Sequence, residues 1–186
     1  MGRGAQSLVR VAVVVRAGAA PLWWLGVFAA GIGLLVPGLT GRRIGVLAGA
    51  ALFIVTAAAV ALVRRRRYVH FAEAATRAGR TDYLQDRRVT VRAWRRAHRW
   101  QLLGAFALAV GTSFALPAAG GAVLAGAGAG LWAKAGWLGH RERRAETLLW
   151  LRSDWTARGP VGRLVKGFRS TGIAAGDASP GGARRR

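Results

Sequence analysis

Three stretches of the chain, residues 17–41, 44–63 and 100–133, contain no charged side chain, and Arg dominates what lies between and after them. A helix needs about 20 apolar residues to cross ~30 Å of hydrocarbon. Pro21–Leu39 and Ile44–Val63 each meet that requirement, and Thr40-Gly41-Arg42-Arg43 joins them as a tight turn. Residues 100–133 would measure ~51 Å as one helix at 1.5 Å per residue, too long for a single crossing. Their middle reads Leu116-Pro117-Ala118-Ala119-Gly120-Gly121, where Pro and paired Gly punctuate. The stretch therefore divides into a span over Trp100–Leu116 and another over about Ala119–Leu138.

The pattern predicts an all-α integral membrane protein with four transmembrane helices arranged as two hairpins. A basic cytoplasmic N-terminus (1–19) precedes the first transmembrane hairpin (20–63). Residues 64–99 follow as a basic cytoplasmic helical hairpin between spans two and three. The second span of the first hairpin runs on as helix to Ala78, and Gly79–Asp82 forms the tip. A second transmembrane hairpin (100–138) leads to a basic amphipathic cytoplasmic tail (139–170). That tail holds a helix over Arg141–Trp155 and a short segment with Val161, Leu164, Val165 and Phe168 at helical spacing. Residues 171–186, rich in Gly and ending in Arg184–Arg186, read as disordered. Arg3, Arg10 and Arg16 before the first apolar stretch resemble a signal-peptide n-region. The stretch is too long and lacks a closing A-x-A site, so an uncleaved signal anchor is expected.

Charge sets the orientation. The chain has 29 Lys+Arg against 7 Asp+Glu in 186 residues. With both termini inside, 26 of the 29 basic residues fall on the cytoplasmic side, as the positive-inside rule expects. The location this implies is the cell membrane, multi-pass, with cytoplasmic N- and C-termini. Trp23, Trp24, Trp100, Trp132 and Trp137 fall at the cytoplasmic span ends, where amphipathic rings suit the headgroup layer. Lys134 lies about one turn from such an end and is expected to snorkel.

Within the spans, Gly45 and Gly49, and Ala122, Gly126 and Gly130, recur every four positions. Small faces of this kind let helix backbones approach closely, although Ala and Gly are abundant throughout the chain. No span carries Asp or Glu, which counts against a proton- or cation-coupled transporter.

On the arm over residues 83–99, Arg88, Arg92, Arg95, Arg96 and Arg99 fall within about a 100° arc. Leu84, Val89, Val91, Ala93, Trp94 and Ala97 take the rest of the circumference. The Arg stripe fits three readings: a solvated orientation signal, contact with anionic inner-leaflet headgroups, or nucleic-acid phosphates.

Chemistry is sparse. With no Cys, there is neither a disulfide framework nor thiolate ligation. His70, His98 and His140 show no ligand spacing, and no Walker loop or nucleophile elbow is present. The scattered carboxylates, Glu142 and Glu146 among them, read as ion-paired helix surface. No cofactor and no metal are expected, and the chain is read as a non-enzyme. It would act by assembly or docking through a basic cytoplasmic surface, with copies of itself or a membrane-protein partner. The alternatives are a membrane component of DNA handling, such as conjugative plasmid spread, and a holin-like or small-channel protein.

Overall fold

Helix and strand alternate along the chain in a way that follows local apolar content and the few residues able to turn it. A computed structural model describes residues 7–36, 38–79, 82–158, 160–162 and 165–173. The elements are β1 (Ser7–Arg10), α1 (Val11–Ala17), α2 (Ala19–Leu35), α3 (Arg42–Leu62), α4 (Arg65–Glu73), β2 (Thr76–Arg77), β3 (Tyr83–Leu84), α5 (Arg87–Gly111), α6 (Ala119–Arg144), β4 (Thr147–Arg152) and β5 (Arg169–Gly172), with 3-10 turns at Thr112–Phe114 and Ser153–Arg158. The chain is mostly helical, as expected, but the five strands form one sheet that the apolar periodicity does not predict.

Two compact units share the chain. One gathers the segment ending at Val15, Arg64–Ala93 and Ala135 onward; the other gathers Arg16–Val63 and Trp94–Lys134.

The first unit is built on the sheet, in the order β2-β5-β4-β1-β3. β4 is its centre, antiparallel to β1 (Val9 opposite Leu151) and to β5 (Leu149 opposite Ser170). The short edge strands pair in parallel, β3 with β1 and β2 with β5. Successive side chains of a strand point to opposite faces. Leu148 and Trp150 therefore share one face and Leu149 and Leu151 the other, and all four are buried. The helix expected over Arg141–Trp155 is thus corrected: α6 ends at Arg144 and β4 begins three residues later. Glu146, at φ +50°, reverses the chain there. The run Leu148-Leu149-Trp150-Leu151 has no polar face to offer, and the middle of a sheet covered on both sides accommodates it.

Leu8, Leu148 and Trp150 form a core with Ala78 and Leu84 packed on it. The Trp150 ring N–H donates to Thr171 Oγ1 at 2.6 Å. Phe168 is buried against Phe71 and Tyr68, with ring centroids 5.4 and 6.4 Å away. Val161, Val165 and Phe168 are therefore core residues outside any helix, which corrects the amphipathic segment; Leu164 lies outside the described residues. The disorder expected from residue 171 is corrected at its start, because Thr171 and Gly172 belong to β5; residues 174–186 lie outside the described residues. The N-terminal segment likewise carries β1 and α1 rather than being only a basic tail.

The second unit is helical. α2 and α3 are joined through Gly41, whose φ of +77° suits glycine. α5 gives way to the 3-10 turn at Thr112, and Ala118, at φ +64°, opens α6. The division of residues 100–133 falls where Pro117 and the glycine pair mark it. Thr112 and Ser113 bond back to the Ala109 carbonyl.

The described residues include two helical stretches long and apolar enough to cross a membrane, Val11–Leu35 (α1 with α2) and Arg42–Glu73 (α3 with α4). The other two expected spans do not reach that measure. The first half of α5 carries the Arg stripe, and Ala, Gly and Lys134 dilute the hydropathy of α6. Apart from Tyr83, Val89 and Ile173, every exposed large apolar residue among those described lies in the helical unit, including Leu47 at 72% and Trp100 at 72% exposure.

The cytoplasmic helical hairpin expected over 64–99 is also corrected. The helix does not run unbroken from Ala50 to Ala78. α3 ends at Leu62, Arg64 turns left-handed at φ +58°, and α4 is a separate nine-residue helix. The tip carries β2 and β3.

Candidate functional site

The basic arm is the first candidate. Arg87 opens α5, and the Thr90 hydroxyl donates to the Asp86 carbonyl at 3.0 Å in its first turn. Arg88, Arg92, Arg95, Arg96 and Arg99 are all exposed on this helix, and no ion pair reaches any of them among the described residues. The opposite side is narrower than the sequence pattern suggests. Thr90 is buried, and Val91, Trp94 and His98 are half-buried, but Val89, Ala93 and Ala97 stand exposed beside the arginines. His98 stacks on Trp94 with ring centroids 4.3 Å apart, and its Nδ1 lies 2.9 Å from the Trp94 carbonyl. Among the described residues no carboxylate pairs with this face, so it is chemically suited to phosphate oxygens.

The expected packing residues come together on one interface. A Cβ on Gly126 would lie 2.6 Å from the Phe53 carbonyl oxygen, and one on Gly130 the same distance from that of Ala57. A Cβ on Gly49 would lie 3.5 Å from the Ala122 methyl, and one on Gly45 would lie 2.7 Å from the Pro117 carbonyl oxygen. These are contacts between α3 and the α6 segment. A second close crossing, of α2 on α6, escaped the four-residue spacing. A Cβ added at Gly26 would strike the Ala125 backbone, one at Gly121 the Ala30 backbone, and one at Gly128 would lie 2.5 Å from the Trp23 backbone N. Gly121, Ala125 and Gly128 follow the i, i+4, i+7 rule, a spacing that would reveal them.

Three more side chains matter, and the sequence pattern misplaces each. Lys134 does not snorkel. It is buried, and its Nζ donates to the Val63 carbonyl at 2.9 Å, capping the end of α3. Trp23 is not simply a headgroup anchor, since it packs between Trp132 and Phe53 at 5.6 and 6.1 Å. Glu142 is not helix surface; it is 2% exposed. One of its oxygens takes Arg10 at 2.6 Å and the other accepts the Leu149 backbone N–H at 3.1 Å. One carboxylate on α6 therefore ties together β1 and β4.

Burial pushes the Tyr68 phenol well above its ordinary range, with the Arg64 charge acting in the opposite direction. Among the described residues no group of three or more His, Asp or Glu could hold a metal ion. Glu73 pairs with Arg141 at 3.0 Å and Asp154 with Arg152 at 2.8 Å. No family model, curated protein or solved structure matches the chain.

Proposed function

We propose that this chain is a multi-pass membrane protein whose sheet unit is a non-enzymatic docking platform in the cytoplasm. Its spans are α2, α3, the C-terminal part of α5, and α6, arranged as two hairpins. The observation that carries this reading is the origin of the strands. β1 comes from before the first apolar hairpin, β2 and β3 from between the hairpins, and β4 and β5 from after the second. Strands hydrogen-bonded into one sheet occupy one compartment. Backbone groups cannot be left open to lipid, so no part of such a sheet lies across the bilayer. The chain must then cross an even number of times between β1 and β2, and again between β3 and β4.

α2 and α3 satisfy the first condition as a pair. The second admits two crossings or none by α5 and α6, never one. The exposed Leu, Ile, Val and Phe side chains of the helical unit favour two, because soluble surfaces rarely carry so much contiguous apolar area. The excess of Arg in the three strand-bearing segments favours the cytoplasm as their compartment. Three carboxylates already tied to arginine (Glu73, Glu142 and Asp154) favour a structural over a catalytic role for them.

Reporter fusions test the reading. A fusion after Thr40 reads outside, and fusions at Gly79 and after Arg158 read inside. An outside signal after Arg158 eliminates the second pair of crossings and the platform with it.

A second reading, DNA handling at the membrane, draws on the five stripe arginines of α5, Arg88, Arg92, Arg95, Arg96 and Arg99. Duplex binding through Z phosphates gives log K falling against log salt with a slope of about −0.9Z. The double change Arg88→Gln with Arg92→Gln then flattens the slope by up to about two contacts.

A further inference from the structure

Along one side of α4, from its first residue to its last, lies an open groove of ≈ 340 Å3 lined by Arg65, Arg66, Val69, His70, Glu73 and Trp137. The Arg65 guanidinium lies over the Trp137 ring, 4.4 Å from its centroid. Its Nε is buried with no hydrogen-bond partner. No ion pair among the described residues reaches Arg65 or Arg66. The one acid in the groove, Glu73, is held by Arg141. Among the described residues the groove thus has two guanidinium groups without an ion pair, towards the first residue of α4, and one carboxylate already paired, at its last.

We propose that this groove binds a phosphate group, that of an anionic lipid headgroup, through Arg65 and Arg66. Trp137 holds the Arg65 plane flat by cation–π contact, so the fork of remaining donors is preorganised instead of swinging in water. A phosphate oxygen pair matches that fork, and Arg66, exposed one residue along, reaches the same anion. The N-terminus of α4 begins at Arg65 and adds its partial positive charge. The lipid assignment rests on the reading of α3 as a span. Arg65 is three residues past the last helical residue of α3, which sets it at headgroup depth if α3 crosses.

This differs from the Arg stripe of α5. There the arginines stand in open solvent along a helix; here one is locked against an aromatic ring within a concavity.

The test uses the full chain purified in a neutral detergent. Native mass spectrometry follows retention of phosphatidylglycerol and phosphatidylcholine, and inorganic phosphate serves as a competitor. The wild type retains phosphatidylglycerol in preference to phosphatidylcholine. Arg65→Gln with Arg66→Gln lowers phosphatidylglycerol affinity by about tenfold or more, the loss of charge-assisted hydrogen bonds. Arg66→Gln alone, at an exposed position, weakens binding without risk to the fold. Arg77→Gln, at an exposed arginine outside both the groove and the α5 stripe, leaves it unchanged.

If millimolar inorganic phosphate binds as tightly as the lipid and displaces it, the site stands and its ligand is a soluble phosphate. Equal phosphatidylglycerol retention by the wild type and both Arg65/Arg66 variants overturns the proposal. Failure of the membrane reading shows separately, as wild-type protein left in the supernatant after detergent-free ultracentrifugation. The inorganic-phosphate arm then decides the groove by itself, and absence of binding there overturns it.

Discussion

Removing the Glu142 carboxylate breaks two interactions of different kinds, so their sizes can be separated. In Glu142→Ala the Leu149 N–H loses its acceptor in a buried site, a loss of about 1–3 kcal/mol. Arg10 also loses its partner. Breaking a fully buried pair costs about 3–5 kcal/mol, but the Arg10 side chain is 35% exposed and water recovers part of its charge solvation. About 1–2 kcal/mol remains for that half. The sum is about 3 kcal/mol, or a roughly hundredfold shift in the unfolding equilibrium. Glu142→Gln retains an amide oxygen for Leu149 and loses only the charge, so its cost should be about half as large. Urea unfolding in a mild detergent, followed by Trp fluorescence, measures both variants. An Ala variant within about 1 kcal/mol of the wild type would refute the clamp. Equal losses for Ala and Gln would refute the division between charge and N–H acceptance.

Helix packing gives a second prediction. Gly121→Val and Gly126→Ile drive side chains into opposing backbone and should lower the melting temperature in detergent, whereas Gly31→Ala, which meets nothing within 4 Å, should be tolerated. Equal tolerance of all three, measured by thermal melting with gel filtration, would show that these close approaches contribute nothing. Lys134→Met strips the donor from the Val63 carbonyl and should destabilise by about 1–3 kcal/mol; a neutral result in the same melt rejects the cap. Tyr68 predicts a pH effect. Its folded pKa lies above the unfolded value of 10.0, so its contribution is intact below pH 10 and is lost as pH rises beyond it, where the unfolded chain ionises first. Tyr68→Phe should remove that part of the alkaline decline, and an unchanged alkaline slope in the Phe variant counts against it.

The apolar segmentation, the turn before Arg42 and the break around Pro117 were legible because each rests on a local signal: an uncharged run, a Gly, a Pro. Exposure of the five stripe arginines was legible from helical periodicity. The sheet was not. β2 and β3 are two residues each, shorter than any alternation that could be counted. β4 has four consecutive apolar residues, a run that helix and strand share. The break between α3 and α4 has neither Gly nor Pro at Val63-Arg64. The freed Val63 carbonyl accepts instead from Lys134, some 70 residues away, and no window of sequence contains both. Glu142 looked like surface because its neighbours are Arg141, Arg143 and Arg144; its partner Arg10 lies at the other end of the chain.

The pairing of Val9 with Leu151 has a consequence for how the protein is made. β1 must wait for a strand that emerges about 140 residues later. At about 5–20 residues per second that delay is roughly 7–28 s. Until then Leu8 and Val9 belong to a solitary strand, with only the two residues of β3 as an earlier neighbour. Two-residue pairings do not hold on their own. Both apolar hairpins are therefore synthesised before the sheet exists, and β1, made ahead of the strands it pairs with, is among the last of these elements to find its place. A chain stopped before Thr147 would keep its apolar helices while leaving β1 an open edge, a ready template for misassociation with other nascent chains.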